Sequence, residues 1–172
     1  SAREDFGVIR LSHISAAVLL FFVSACGQQD SGQRVVGFAQ IGSESGWRAA
    51  ETRVAQEEAT ARDIDLRVSD AQQRQENQIR AIRTFIAQGV DAILLAPVVS
   101  TGWDAVLAEA KAANIPVVLL DRRIETQDES LYLAAVASDA TEEGRVAARW
   151  LAETVGDRAC RVVELQGTVG AS

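Results

Sequence analysis

Hydrophobic and polar positions switch between two periods along this chain, and the switching repeats. Residues 34–40 form a short β-rich run and predict a first strand. A helical stretch follows over 46–62, with Ala50, Val54 and Ala61 near one face. Ile64, Leu66 and Val68 alternate with polar residues and predict a second strand over 64–69. Ile79, Ile82 and Ile86 recur at helical spacing and predict a second helix, stopped by Gly89. Residues 92–96 are continuously apolar, as in a strand buried on both faces. Trp103, Val106, Leu107 and Ala110 mark a third helix, and residues 116–120 a fourth strand. A weaker fifth strand is predicted over 131–137 and a helix over 141–155 with Val146, Trp150 and Leu151 inward. Residues 161–165 read as a sixth strand.

The first four apolar runs begin near residues 35, 65, 92 and 117. That repeat is the length of a strand plus its crossover helix, so the chain predicts an α/β fold. The architecture is a doubly wound parallel sheet flanked by helices.

The first 26 residues follow a different pattern. Arg3 and Arg10 precede an apolar run over 14–25, broken only by Ser15 and Ser24. A run of about 12 residues is too short to span a bilayer, which takes roughly 20, but it suits the core of a signal peptide. It ends Val23-Ser24-Ala25-Cys26, small residues before a cysteine, as in a bacterial lipobox. Two readings stand: cleavage before an acylated Cys26, or plain secretory cleavage near Ala25 with Cys26 incidental. Residues 1–25 are thus expected to be a signal peptide and 26–33 a polar tether, and either reading exports the chain. No methionine occurs at position 1 or elsewhere, so translation is expected to start upstream.

Composition narrows the chemistry. With 17 basic against 24 acidic residues the net charge is −7, which lacks the basic footprint of nonspecific nucleic-acid binding. The single histidine, His13, lies in the signal region, so an exported histidine triad or histidine metal site is excluded. Two cysteines supply neither a disulfide framework nor a four-cysteine zinc site. Cys160 precedes a predicted strand and has no histidine to activate it, so it reads as structural. The first loop, Ile41-Gly42-Ser43-Glu44-Ser45-Gly46-Trp47-Arg48, has neither the dinucleotide glycine pattern nor a phosphate-loop lysine. No enzyme chemistry, cofactor or metal is expected.

In doubly wound sheets ligands bind beyond the carboxyl ends of the strands. There the chain places Glu44, Trp47 and Arg48 after its first strand and Asp121 and Arg122 after its fourth. Carboxylates and planar guanidinium groups suit vicinal hydroxyls, and an indole covers the apolar face of a sugar ring. A blander reading stays open. Glu44 and Arg48 are four apart and form a surface pair in that reading, Asp121-Arg122-Arg123 a solvated turn, and Trp47 a core cap. Asp70, Gln72 and Gln73, after the second strand, are further candidates for the cleft but read more readily as a turn and helix start.

Several segments resemble a known family. Gly42-Ser43-Glu44-Ser45-Gly46-Trp47-Arg48-Ala49-Ala50-Glu51-Thr52, Gln75-Glu76-Asn77-Gln78-Ile79 and Gly89-Val90-Asp91-Ala92-Ile93 are similar to ribose-type periplasmic sugar-binding proteins of bacterial ABC importers. So are Ala96-Pro97-Val98 with Gly102-Trp103, Leu119-Leu120-Asp121-Arg122, and the stretch from Val163 to the end of the chain. The first of these points to the galactofuranose branch. The resemblance implies two α/β lobes of periplasmic-binding-protein type I closing on a monosaccharide, delivery to a membrane permease, and a monomer. It implies that Glu44, Arg48, Asp121 and Arg122 hydrogen-bond the sugar and that Trp47 packs against it. It divides the chain into a first lobe over 34–139 and the truncated start of a second over 140–172. A cysteine paired with Cys160 would lie further along lobe two; with Cys26 acylated, no disulfide is expected here. The competing reading is the effector domain of a sugar-responsive regulator or of a chemoreceptor-linked sensor. A regulator needs a helix-turn-helix, where this chain has an export signal.

Overall fold

The computed structural model describes residues 32–165, 167 and 170. The expected signal segment, Cys26 and the tether up to residue 31 lie outside the described residues. Five parallel strands run β1 (Arg34–Gln40), β2 (Ile64–Asp70), β3 (Ala92–Leu95), β4 (Val117–Leu120) and β5 (Ala134–Val136). Their order in the sheet is β2-β1-β3-β4-β5. The crossovers are α1 (Gly46–Ala61), α2 (Gln75–Gln88) and α3 (Asp104–Ala112), and α4 (Ala140–Val155) follows β5.

The register keeps like residues in phase: Val36 opposes Ala92, Ile93 opposes Val117, and Leu119 opposes Ala135. Side chains alternate across a strand, so each face collects its own core. Ala39, Ile93, Leu95, Val117 and Leu119 pack with Ile82 and Phe85 of α2 and Val106 and Leu107 of α3. Phe38, Leu94 and Leu120 pack on the other face with Ala55 of α1. Gly37 lets α2 sit hard against β1, since a Cβ there would lie 2.5 Å from the Phe85 ring. At the opposite end of the strands, the Val35 N–H donates to Asp91 at 2.7 Å. That bond first, and Arg34 second, hold the Asp91 carboxyl below the usual range.

Gln78 ties the sheet to the loops above it. Its side chain is fully buried; Nε2 donates to the carbonyls of Ala39 and Ala96 at 3.1 and 2.6 Å, while Oε1 accepts the Val98 N–H at 2.9 Å. The Ala39 carbonyl also accepts the Ala96 N–H at 3.2 Å, whereas the Ala96 carbonyl and the Val98 N–H rely on Gln78; stranding either in the interior costs about 1–3 kcal/mol. One glutamine thereby fixes the ends of β1 and β3 and the start of the next loop.

Four expectations change. The inward stripe of α1 is not Ala50, Val54 and Ala61: Arg48 and Ala59 are buried with Ala55 between them, while Val54 and Ala61 are exposed. A charged residue heads the stripe, which an apolar count passes over. The fifth strand shortens to Ala134–Val136, because Glu129–Leu131 forms a 3-10 turn that Asp128 caps through the Ser130 N–H. The predicted inward face of α4 is open: the helix has no buried residue, and Val146 and Trp150 are exposed. The sixth strand is absent, and residues 161–165 lie exposed and unpaired. Both follow from one cause. A strand needs an adjacent edge and an amphipathic helix needs a sheet to cover, and the described residues offer neither beyond β5.

Candidate functional site

The site is built where β1 and β4 end. After β1 the chain turns at Ile41 and enters α1 at Ser45, whose hydroxyl caps the helix by accepting the Arg48 N–H at 3.2 Å. The cap starts the helix one turn before Arg48 and so aims residue 48 inward over the sheet. Arg48 is 5% exposed. Its Nη2 donates to Asp121 Oδ2 at 2.5 Å and its Nη1 to Glu51 Oε2 at 2.9 Å. A guanidinium this deep requires anionic partners, and here it has two.

Asp121 reaches Arg48 through an unusual backbone. Its φ is +64°, and the Arg122 N–H donates across it to the Leu120 carbonyl at 2.7 Å, making a three-residue turn. A non-glycine residue in such a turn carries strain of order 1–3 kcal/mol, which persists only where neighbours over-determine it. The Asp121 N–H bond to the Val136 carbonyl at 2.8 Å and the Arg48 ion pair do so. Arg122 sits with its Nε 3.8 Å from Asp121 Oδ2 and donates from Nη1 to the Val98 carbonyl at 3.1 Å. Val98 is itself set by Gln78. The charges alternate along the row Glu51, Arg48, Asp121, Arg122, so the row is neutral as a whole.

Among the described residues Asp121 Oδ1 accepts no bond, and neither does Glu44. Arg48 pairs with Glu51 and Asp121 rather than with Glu44, so the surface pair of the blander reading is not formed. Its carboxylate instead lies over Gly42, where a Cβ would come within 2.1 Å of Glu44 Oε2. Trp47 is 64% exposed, so it caps no core; Trp103 is the buried tryptophan, with its indole N–H donating to the Val99 carbonyl at 2.7 Å. The stretch after β2 is a turn, as expected: the Gln72 N–H bonds Asp70 and the Gln73 N–H bonds the Ile41 carbonyl. Cys160 is an exposed free thiol.

Two grooves meet at Asp121. One, of about 640 Å3, is lined by Asp121, Arg122, Ser138, Asp139 and Thr141. The other, of about 520 Å3, is lined by Trp47, Glu51, Leu120, Asp121 and Val136. A groove of about 670 Å3 along α4 sets Val146, Ala147 and Trp150 beside Asp139, Glu142 and Glu143, with no cationic side chain in its lining. The first two can present carboxylate acceptors, guanidinium donors and an indole face to one small polar molecule. Sequence reasoning missed Glu51 and Gln40; the signal for Glu51 was its place three residues after Arg48, one helical turn on.

A five-stranded, parallel, doubly wound sheet whose strand ends carry this row defines a binding lobe of the periplasmic binding protein class. Residues 36–172 match the periplasmic binding protein domain, and the chain belongs to that family. It is 61% identical over 137 residues to the galactofuranose-binding protein YtfQ of Escherichia coli (strain K12), covering 80% of this chain and 43% of that one. Among solved structures it is similar to a galactofuranose binding protein, at 60% identity and a TM-score of 0.79, covering 81% of this chain and 47% of that one. It is also similar to the periplasmic binding component of the arabinose ABC transporter from Shewanella sp. ANA-3, bound to α- and β-L-arabinofuranose. There the identity is 58% and the TM-score 0.77, over 80% of this chain and 45% of that one. The chain thus spans less than half the length of these relatives.

Proposed function

We propose that this chain supplies the first lobe of the substrate-binding component of a bacterial ABC sugar importer. Its ligand is a monosaccharide in furanose form, of the galactofuranose or arabinofuranose kind, passed on to a membrane permease. The observation that carries the reading is the Arg48–Asp121 pair, 2.5 Å long, at the meeting of two grooves, with Arg122 lining one and Trp47 exposed in the other. In this reading Asp121 and Glu44 accept from sugar hydroxyls, Arg48 and Arg122 donate to them, and Trp47 covers the ring's apolar side. The galactofuranose and arabinofuranose bound by the relatives named above support furanose over pyranose. Residues 34–139 form the sugar-binding lobe and 140–172 open a second lobe, a division supported by α4 burying no residue against the first.

Calorimetry on the longest form the gene encodes tests the reading. Galactose, arabinose and their methyl furanosides are expected to bind, and methyl pyranosides, locked in the six-membered ring, to bind far more weakly. No heat with any sugar would refute it.

The finer localisation rests on Val23-Ser24-Ala25-Cys26 after a short apolar core. In this proposal the protein is exported and held at the membrane by acyl groups on Cys26. A single chain anchors only marginally, so stable attachment takes more than one. Intact mass of protein recovered from bacterial membranes is expected to correspond to a chain beginning at Cys26 with acyl mass added. A soluble form with an unmodified cysteine would remove the anchor.

A further inference from the structure

The Arg48 guanidinium is held from two sides, and only one of its holders faces the larger groove at the strand ends. Asp121 belongs to both grooves. Glu51 lines only the smaller groove, and its Oε2 is taken up by the framework beneath: it accepts from Arg48 Nη1 at 2.9 Å and from Gln40 Nε2 at 3.0 Å. Gln40 is 1% exposed and fully engaged, with Nε2 also reaching Thr52 Oγ1 at 3.1 Å and Oε1 accepting the Ile41 N–H at 2.8 Å. A continuous line therefore runs from the Ile41 backbone through Gln40 and Glu51 to Arg48. Asp121 sits on a strained turn and must share its oxygens with any ligand hydroxyl it accepts. When it does, the bond to Glu51 is what keeps the guanidinium plane in place.

We infer that Glu51, braced by Gln40, is a positioning residue that fixes the Arg48 guanidinium for ligand binding without itself touching the ligand. The inference rests on the sugar-site reading above. A donor held in a fixed plane loses little entropy when the ligand arrives, and a misplacement of about 1 Å in such a group costs on the order of 100-fold in what it supports. An arginine with one brace removed swings about the other.

Three variants and two readouts test this on the longest form the gene encodes. Glu51→Ala is expected to weaken furanose binding about 10-fold to 100-fold, and Gln40→Leu to weaken it less, because Glu51 keeps its own bond to Arg48. Glu51→Gln keeps an oxygen for Nη1 and is expected to recover most of the affinity; it also covers the chance that the alanine variant folds poorly. The second readout needs no sugar. Nitrogen-15 NMR of the ligand-free protein should show separated Arg48 Nη–H resonances, from slowed rotation about Cζ–Nη. These should collapse in Glu51→Ala while the amide signals of β3 and β4 stay in place.

Unchanged Arg48 resonances in Glu51→Ala would overturn the positioning role. So would equal affinity loss in the alanine and glutamine variants with those resonances intact, since Glu51 would then touch the ligand itself. Wild-type protein that binds no furanose would instead refute the sugar site, and the NMR comparison would still decide whether Glu51 holds Arg48.

Discussion

Asp121→Ala is expected to reduce furanose affinity by about 2–5 kcal/mol, the loss typical of removing one partner from a buried, hydrogen-bonded charge pair. Arg48 is 5% exposed and cannot turn to water for a replacement, so it keeps only Glu51. The sugar loses an acceptor at the same stroke, because among the described residues only Oδ2 of Asp121 is engaged, by Arg48. The alanine variant carries a second effect that must be separated. At φ +64° any non-glycine residue is strained, and asparagine and aspartate tolerate that region best. Asp121→Asn therefore keeps the turn and one acceptor oxygen while removing the charge and the second acceptor. The expected order of affinity is wild type, then asparagine, then alanine, measured by calorimetry with urea unfolding run alongside. Equal affinity in all three, with stability preserved, would move the ligand away from the β4 end.

That prediction could be framed from the sequence because strand ends are legible. A run such as 116–120 has period and boundary, and whatever follows it in an α/β sheet faces the ligand side. Asp121 and Arg122 were visible on that ground alone. What the sequence hid was who pairs with whom. Arg48 has Glu44 one turn before it, and the local pair was the natural alternative; its partner is 73 residues away in the chain. Only the β1-β3-β4 order brings α1's first turn beside the end of β4. Glu51 and Gln40 were hidden for a different reason: a glutamate on a helix and a glutamine ending a strand are each unremarkable until they share an oxygen. The shift in α1's buried face has the same origin, since a buried arginine reads as a surface residue to any hydrophobic count. The fifth strand shortened because Asp128 and Ser130 make a local cap that competes with extended pairing. For α4 the amphipathic pattern was legible and its partner was not.

Residues 32–172 taken alone are expected to bind furanoses more weakly than about 1 mM, a favourable binding free energy smaller than about 4 kcal/mol. In the open grooves at Asp121 each sugar hydrogen bond replaces one to water, and such an exchange nets about 0.5–1.5 kcal/mol. Asp121, Arg48, Arg122 and Glu44 with a Trp47 contact then offer a few kcal/mol together. Association itself costs an estimated 4–15 kcal/mol, so little remains. Enclosure is what changes this balance, because the same bonds strengthen once water is excluded and the local dielectric falls. The segment should also self-associate. Trp150 is 64% exposed beside Val146 on α4, and Val162, Val163 and Leu165 follow on an unpaired stretch. An exposed apolar, β-prone stretch next to an uncovered helix face invites pairing between copies. Ending the segment at residue 139 removes both features and leaves the two packed faces of the sheet intact. Sedimentation is expected to show association for 32–172 and a monomer for 32–139, with calorimetry silent on both. Micromolar, one-to-one binding by 32–172 would show that the row from Glu51 to Arg122 needs no second wall.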